Sequence, residues 1–179
     1  MAYRRFPIPE FNHKAFRGLD WSQPDYVHEE DIKKELAEKD TFGIFPIKAN
    51  PDILSRFSVQ GEHAHALLCK VPNGSRLIGR SYSWWLQRAI VTDSITSDEF
   101  KVLADWRTPR PMNTRLGPED GIKINDKLLY VISCHGHSDH WVGNRTLVKE
   151  IDDGYHLLGC AKDGTSNFYE FCLTFTWGE

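Results

Sequence analysis

Residues 169–177 alternate between large apolar side chains and polar or small ones, and this pattern restricts the fold more than any other feature of the chain. Glu170, Thr174 and Thr176 would share one face of a strand. The other face would carry Tyr169, Phe171, Leu173, Phe175 and Trp177. Because successive side chains of a strand point to opposite faces, the pattern predicts an antiparallel sheet with one face in water.

Three pairs of apolar runs around turn sequences predict β-hairpins. Asn73-Gly74 lies inside the first of these turns, and Asn-Gly between two such runs is a strong hairpin signal. The pairs are residues 64–71 with 76–86, residues 121–124 with 127–134 around Asn125-Asp126, and residues 155–161 with 167–177 around Asp163-Gly164.

Three segments have the features of helices. Residues 25–39 begin with acids and continue with lysines, as the helix dipole favours. Asn50 and Pro51 suit the N-cap and first positions of a second helix. Ser97, followed by two acids, predicts a third helix over residues 97–106. The fold class we expect is α+β, an antiparallel β-sheet or barrel with a few peripheral helices.

The length of 179 residues fits one domain of ordinary size. Residues 1–25, rich in proline, aromatic and basic side chains, predict an extended N-terminal arm that could contact a protein partner. Residues 26–179 are expected to form a single α+β domain.

Charge and cysteine usage favour a cytoplasmic protein. The net charge of −3 argues against a nucleic-acid binder. No apolar run has the length of a membrane span or the context of a signal peptide. The four cysteines form no CxxC pair, which is typical of reduced, buried thiols. Asn144-Arg145-Thr146 matches a glycosylation sequon, but a cytoplasmic chain would not use it.

The sequence Cys134-His135-Gly136-His137-Ser138-Asp139-His140 follows an apolar run and contains three histidines and one aspartate close together. On an extended chain His135 and His137 point to one face, and a turn at Ser138 would bring Asp139 and His140 toward them. Imidazole and carboxylate are ligands that zinc prefers. We therefore predict a divalent metal site, with zinc as the preferred ion. Its ligands would be His135, His137 and His140, and Asp139 would be the fourth ligand or a catalytic base.

This His-x-His-x-Asp-His motif resembles the metal motif of metallo-β-lactamase-fold hydrolases. The resemblance implies that His135 and His137 would bind one metal, and Asp139 and His140 a second. It is confined to these few residues: residues 141–179 contain a single histidine, His156, and no Gly-rich loop for a further ligand. We do not assign the chain to that family.

A second pair, His63 and His65, precedes the apolar run of residues 66–71. Two His-x-His strands side by side could form a four-nitrogen site, as in cupin-like barrels, although the acidic residue of the cupin pattern is absent here. His63 and His65 are therefore further candidate ligands. The competing interpretation is that the residues around Asp139 form only a polar surface turn.

These observations predict a metal-dependent hydrolase acting on a small-molecule substrate, with its site at a strand end. The alternative is a non-catalytic β-barrel that binds an aromatic or apolar ligand or a protein partner. Two weaker candidates are a thiol enzyme built on Cys134 with His63 or His65, and base or sugar stacking on Trp84-Trp85.

Overall fold

Extended strands account for most of the described residues in the computed structural model. The described residues are 17–18, 34, 42–47, 51–60, 64–71, 74–81, 86–93, 100–108, 114–125, 128–136, 140–151, 154–160 and 171–178. The strands are β1 (Arg17–Gly18), β2 (Phe42–Pro46), β3 (Val59–Gln60), β4 (His65–Lys70), β5 (Arg76–Ser81), β6 (Gln87–Thr92), β7 (Val102–Arg107), β8 (Thr114–Leu116), β9 (Ile122–Lys123), β10 (Leu128–Gly136), β11 (Trp141–Gly143), β12 (Arg145–Ile151), β13 (Gly154–Cys160) and β14 (Phe171–Gly178). The helix α1 spans Pro51–Arg56.

The described strands form two sheets. In the first sheet the order is β1-β12-β13-β14-β5-β8, with β9 also paired to β5. All of its pairings are antiparallel. In the second sheet β10 is the central strand: it pairs with β4, β6 and β11, while β2 lies outside β4 and β7 outside β6. The short β3 pairs with β11 in parallel, so the second sheet is mixed.

A common apolar core lies between the two sheets. Leu67 and Val131 contribute to it from the second sheet, and Leu77, Val148 and Leu157 contribute from the first. An edge-to-face contact between the rings of Phe42 and Tyr155, with centroids 5.5 Å apart, also joins the sheets. The sheets therefore bury their facing sides against each other, as expected of two layers around one core.

The second sheet is covered on its other face as well. Tyr130, Ile132 and Ile90 point to that face and pack with Phe57 and Val59, which follow α1. Strands that are buried on both sides need apolar residues at nearly every position, because neither face contacts water. This requirement explains the continuous apolar runs in β4, β6 and β10, which show no alternation.

The described residues thus form a mostly β protein with curled antiparallel and mixed sheets. The α+β description with peripheral helices fits it only loosely. The start of the second predicted helix is confirmed, since α1 begins at Pro51. Of the predicted helix over residues 25–39 only Lys34 is described, and it is helical. Of the predicted arm only residues 17–18 are described, and they pair with β12.

The third predicted helix, over residues 97–106, is wrong at its C-terminal end. Residues 102–107 form β7, and its burial alternates: Ala104 and Trp106 are buried, whereas Asp105 and Arg107 are exposed. The acids after Ser97 suggested a helix start, but the period of two in the following residues is the stronger signal. Residues 94–99 lie outside the described part of the chain.

Two of the three predicted hairpins are wrong because the chain changes sheets at each turn. Gly74 does turn, with a positive φ of 79°, but its N–H donates to the carbonyl of Ile124, 2.8 Å away. The following strand, β5, joins the first sheet while β4 belongs to the second. Likewise β9 pairs with β5, and β10 pairs with β4 and β6. The third hairpin is confirmed by the antiparallel pairing of β13 with β14.

No helix among the described residues has the length and apolar character needed to cross a membrane.

Candidate functional site

One end of the core between the sheets is polar. We call this group of side chains the polar end; each member is at most 5 % exposed. By strand alternation these residues face the same side as the apolar residues of the core between the sheets, such as Val131 of β10 and Val91 of β6. The members are His65, Gln87, Thr108, Ser133, His135, Asn144 and Thr146.

Strand register brings the members of the polar end together. His135 on β10 lies opposite Gln87 on β6. Thr108 follows β7 and exchanges hydrogen bonds with Gln87: its N–H donates to the Gln87 carbonyl at 2.9 Å, and its hydroxyl oxygen accepts from the Gln87 N–H at 2.9 Å. These three residues therefore form a polar row across adjacent strands, although they come from separate parts of the sequence.

Asn144 lies where the chain passes from one sheet to the other, between β11 of the second sheet and β12 of the first. Its backbone N–H donates to the Ser133 carbonyl at 2.9 Å, and its carbonyl accepts from the His65 N–H at 3.0 Å. Asn144 thus hydrogen-bonds both β10 and β4 beyond the last paired residues of those two strands, Ile132 and Ala66. The buried backbone N–H and carbonyl of Asn144 therefore both have hydrogen-bond partners, as buried polar backbone groups require.

The Asn144 side chain fixes the protonation of His135. The amide Nδ2 donates to Ser133 Oγ at 2.9 Å, so Oδ1 faces the imidazole, and Nδ1 of His135 lies 2.6 Å from it. An amide oxygen can only accept a hydrogen bond, so Nδ1 is the donor. In the neutral ring Nε2 then carries the lone pair. Histidines that bind metals or protons through Nε2 are commonly oriented by such a bond at Nδ1.

His65 has the opposite arrangement. Its Nδ1 accepts a hydrogen bond from the backbone N–H of Thr146 at 3.1 Å. The neutral ring therefore carries its proton on Nε2, and the lone pair that a metal would need is already engaged. Buried as it is, at 5 % exposure, His65 links β4 to β12 across the boundary between the sheets.

Three of the six predicted site residues can be located: His65, His135 and half-buried His140. The structure joins the first two through Asn144. Within the described ranges, no three or more histidine, cysteine, aspartate or glutamate side chains are grouped so that they could hold a metal ion. The metal site therefore stays a prediction. The remaining predicted residues, His63, His137 and Asp139, lie outside the described part of the chain.

The opposite face of the second sheet carries an ion pair between a buried arginine and a partly exposed aspartate. Nε and Nη2 of Arg88 each lie 2.7 Å from an oxygen of Asp105, and Nη1 donates to the Phe57 carbonyl at 2.7 Å. The Arg88 side chain is 3 % exposed and that of Asp105 28 %. This two-point contact connects β6 with β7 and with the residue after α1, and it offsets the cost of burying the guanidinium.

Cys134 lies in the apolar cluster on this face, away from His135, as expected for neighbours on a strand. Burial raises the pKa of the Cys134 thiol to about 12; Arg88 opposes this shift and Asp105 adds to it. Burial also raises the pKa of Cys69. Nucleophilic thiols need a lowered pKa, so neither of these cysteines has the properties of a catalytic thiol.

In the sequence, Asn144 and Thr146 are recognisable only as part of a glycosylation sequon. Both are buried, at 0 % and 1 % exposure, so neither is accessible to a glycan in the folded protein. The signal that could have identified Asn144 is its position between two strand-like runs, where a side chain with both a donor and an acceptor can hold neighbouring strands. Trp84 and Trp85 lie outside the described residues.

The strand end after β10 combines a buried, oriented imidazole with three more ligand-type residues in the following sequence. Chemically, such a set can bind a divalent cation or transfer a proton. Comparison of the chain with models of protein families, with curated proteins and with solved structures finds no match.

Proposed function

We propose that the protein binds a divalent metal ion, preferably zinc, at the end of β10 and uses it to hydrolyse a small-molecule substrate. The observation that supports this proposal is the hydrogen bond from His135 Nδ1 to Asn144 Oδ1. It leaves the lone pair of the neutral ring on Nε2, which is the atom that a metal would take. Buried partners of this kind orient metal-binding histidines and increase their basicity.

His137, Asp139 and His140 would complete the coordination. They follow His135 within five residues, so a turn of the chain would bring all four side chains to one ion. Asp139 would act as the fourth ligand or as the base that deprotonates a metal-bound water. His63 is a further candidate ligand. His65, whose Nδ1 accepts from Thr146, would contribute only after that hydrogen bond breaks.

Metal binding is tested first with the metal ions alone. The chelator-treated protein is titrated with zinc and with manganese, and the bound metal is measured by mass spectrometry. We expect about one or two equivalents of metal per chain. The double variant His135→Ala with His137→Ala should lose that metal. His156→Ala, which changes a histidine on β13 in the other sheet, is the matched control and should keep it.

Hydrolysis is tested separately. The metal-loaded protein is assayed with chromogenic carboxylic and phosphoric esters, before and after chelation. Asp139→Asn should keep most of the metal and lose most of the turnover if Asp139 is the base, because an amide cannot accept the proton of the water. If the wild-type protein takes up no metal, the proposal is wrong.

The second candidate is a non-catalytic β protein that binds an aromatic or apolar ligand. The observation that favours it is the polar end itself: a small set of buried polar side chains within an otherwise apolar core is typical of ligand sites in β folds. A fluorescent apolar probe, such as an anilinonaphthalene sulfonate, should then bind to the wild-type protein with equal affinity before and after chelation. Weaker binding after Trp84→Ala or after removal of residues 1–20 would support the second candidate.

A further inference from the structure

The outer face of the second sheet carries an exposed arginine beside the end of β10. We propose that Arg107, supported by Trp141, is a subsite for an oxyanion, a carboxylate or phosphate group of the ligand that reaches the strand end. This inference goes beyond the proposed function, because Arg107 lies near the same strand end but on the face of the second sheet opposite to the His135 side chain. The observations that support the subsite are the charges around Asp105 and the position of the Trp141 ring.

The charge around Asp105 is unbalanced. Arg88 holds this carboxylate through two contacts of 2.7 Å and directs its remaining Nη1 to the Phe57 carbonyl. Arg107 shares the same carboxylate from 3.7 Å, and its side chain is 55 % exposed. Within the described part of the chain, this cluster of two guanidinium groups and one carboxylate has a net charge of +1. Because Arg88 is buried, the excess positive charge is exposed to solvent at Arg107.

The Trp141 ring lies between the Arg107 guanidinium and the end of β10. The guanidinium carbons of Arg88 and Arg107 each lie 5.8 Å from the centre of the Trp141 ring system, within the range of a cation–π contact. A Cβ added to Gly136 would lie 3.2 and 3.4 Å from ring atoms of Trp141, so the ring lies against the last residue of β10. Arg107 is therefore separated by one aromatic ring from the residue that follows His135.

An oxyanion fits this place better than a neutral group does. A guanidinium presents planar N–H groups that match the two oxygens of a carboxylate or a phosphate. The half-buried Trp141 ring lies within cation–π range of Arg107, and such a contact would reduce the entropy cost of ordering that side chain. An anionic group held there would leave the rest of a small molecule free to extend toward the end of β10.

The test is a titration with benzoate and with inorganic phosphate at low ionic strength, followed by NMR of the arginine Nε–H groups. We expect saturable shifts at Arg107, and a loss of affinity of about tenfold or more in Arg107→Gln, the size of one charge-assisted hydrogen bond. Arg107→Lys should be intermediate. Arg56→Gln is the matched control: Arg56 is another exposed arginine over an aromatic ring, 4.3 Å from the centre of Phe100, and its loss should leave the affinity unchanged.

Comparing chelated with zinc-loaded protein separates this inference from the proposed function. Anion binding that persists without metal and is lost in Arg107→Gln supports the subsite, whether or not zinc binds. Anion binding that needs zinc and is unchanged in Arg107→Gln places the anion on the metal; it overturns the subsite and supports the metal site. No saturable binding of either anion also overturns the subsite. Preference for phosphate or benzoate identifies the oxyanion.

Discussion

His135 on β10 and Asn144, at the crossing between the sheets, are joined by a buried hydrogen bond of 2.6 Å from ring Nδ1 to amide Oδ1. The same amide donates to Ser133, and the Asn144 backbone bonds β10 and β4. One residue therefore stabilises the passage of the chain from one sheet to the other and selects the protonated nitrogen of the histidine. Asn144 would therefore couple the stability of the fold to the proposed metal binding.

Asn144→Ala should destabilise the fold. The substitution leaves the Nδ1–H of His135 and the hydroxyl of Ser133 without this partner inside the core, and each such loss costs about 1–3 kcal/mol. We expect the free energy of unfolding in urea to fall by about 2–5 kcal/mol. Asn125→Ala, at an exposed loop position, is the control and should change it by less than about 0.5 kcal/mol. Equal effects of the two substitutions would show that the buried hydrogen bonds contribute little.

Arg88→Met should also destabilise the protein, because it leaves the Asp105 carboxylate and the Phe57 carbonyl without their buried partner. Breaking a fully buried pair costs about 3–5 kcal/mol, and the partial exposure of Asp105 reduces the expected loss to about 2–4 kcal/mol. Arg56→Met removes an exposed arginine over Phe100 and should cost less than about 1 kcal/mol. Urea unfolding of both variants measures the difference. A loss in Arg88→Met no larger than the control would argue against a structural role for the ion pair.

Cys134 should make the protein less stable at alkaline pH. Its pKa is about 12 in the folded protein and about 9 when exposed, so between these values the unfolded chain loses the proton while the folded chain keeps it. Stability is then intact below about pH 9 and falls as the pH rises above it. Between about pH 8 and pH 10 this thiol should account for a loss of about 1.4 kcal/mol.

Comparison with Cys134→Ala isolates this contribution, since the cost of the missing sulfur does not depend on pH. The unfolding free energy of the variant should fall less steeply than that of the wild type over the same pH interval. Cys134 should also resist alkylation by iodoacetamide in the folded state at neutral pH. Parallel pH curves for the two proteins, or rapid alkylation, would mean that the thiol is more accessible than its burial indicates.

Gly117→Ala should be more harmful than Gly74→Ala, although both glycines have φ near +80°. A Cβ at Gly117 would overlap the ring of Trp106, which is buried, whereas a Cβ at Gly74 would meet no atom within 4 Å. Backbone strain alone costs about 1–2 kcal/mol and applies to both positions. Overpacking against the ring adds about 1–3 kcal/mol at Gly117 only. Thermal unfolding of the two variants checks the order, and the reverse order would refute the close packing of Gly117 on Trp106.

The β character of the chain could be predicted from its sequence, and so could the pairing of β13 with β14. That pairing joins neighbouring segments through a short connection, so local alternation and turn residues were sufficient. The wrong hairpins failed for a different reason. Gly74 has the turn conformation that its sequence suggests, but the residues after it pair with β14, about a hundred residues later in the chain. Local patterns predict turns but carry no information about such distant partners.

In the candidate site, too, the local residue pattern could be predicted from the sequence and the distant partners could not. His135 could be selected from the sequence because His-x-His after an apolar run is a recognisable ligand pattern. The partner that orients it could not: Asn144 reaches His135 only because β11 folds back beside the end of β10. The two histidine pairs also looked equivalent in sequence. The hydrogen bond from Thr146 to His65 makes them different, and it depends on how the two sheets meet.

The position of the proton on His135 tests the account most directly. Long-range proton–nitrogen NMR correlations at neutral pH, assigned by their loss in His135→Gln, report which ring nitrogen is protonated. We predict a protonated Nδ1 and an unprotonated Nε2, and a large shift of the Nε2 signal when equimolar zinc is added. A ring protonated at Nε2 would contradict the role assigned to Asn144. A correct tautomer whose Nε2 signal does not respond to zinc would contradict the metal site.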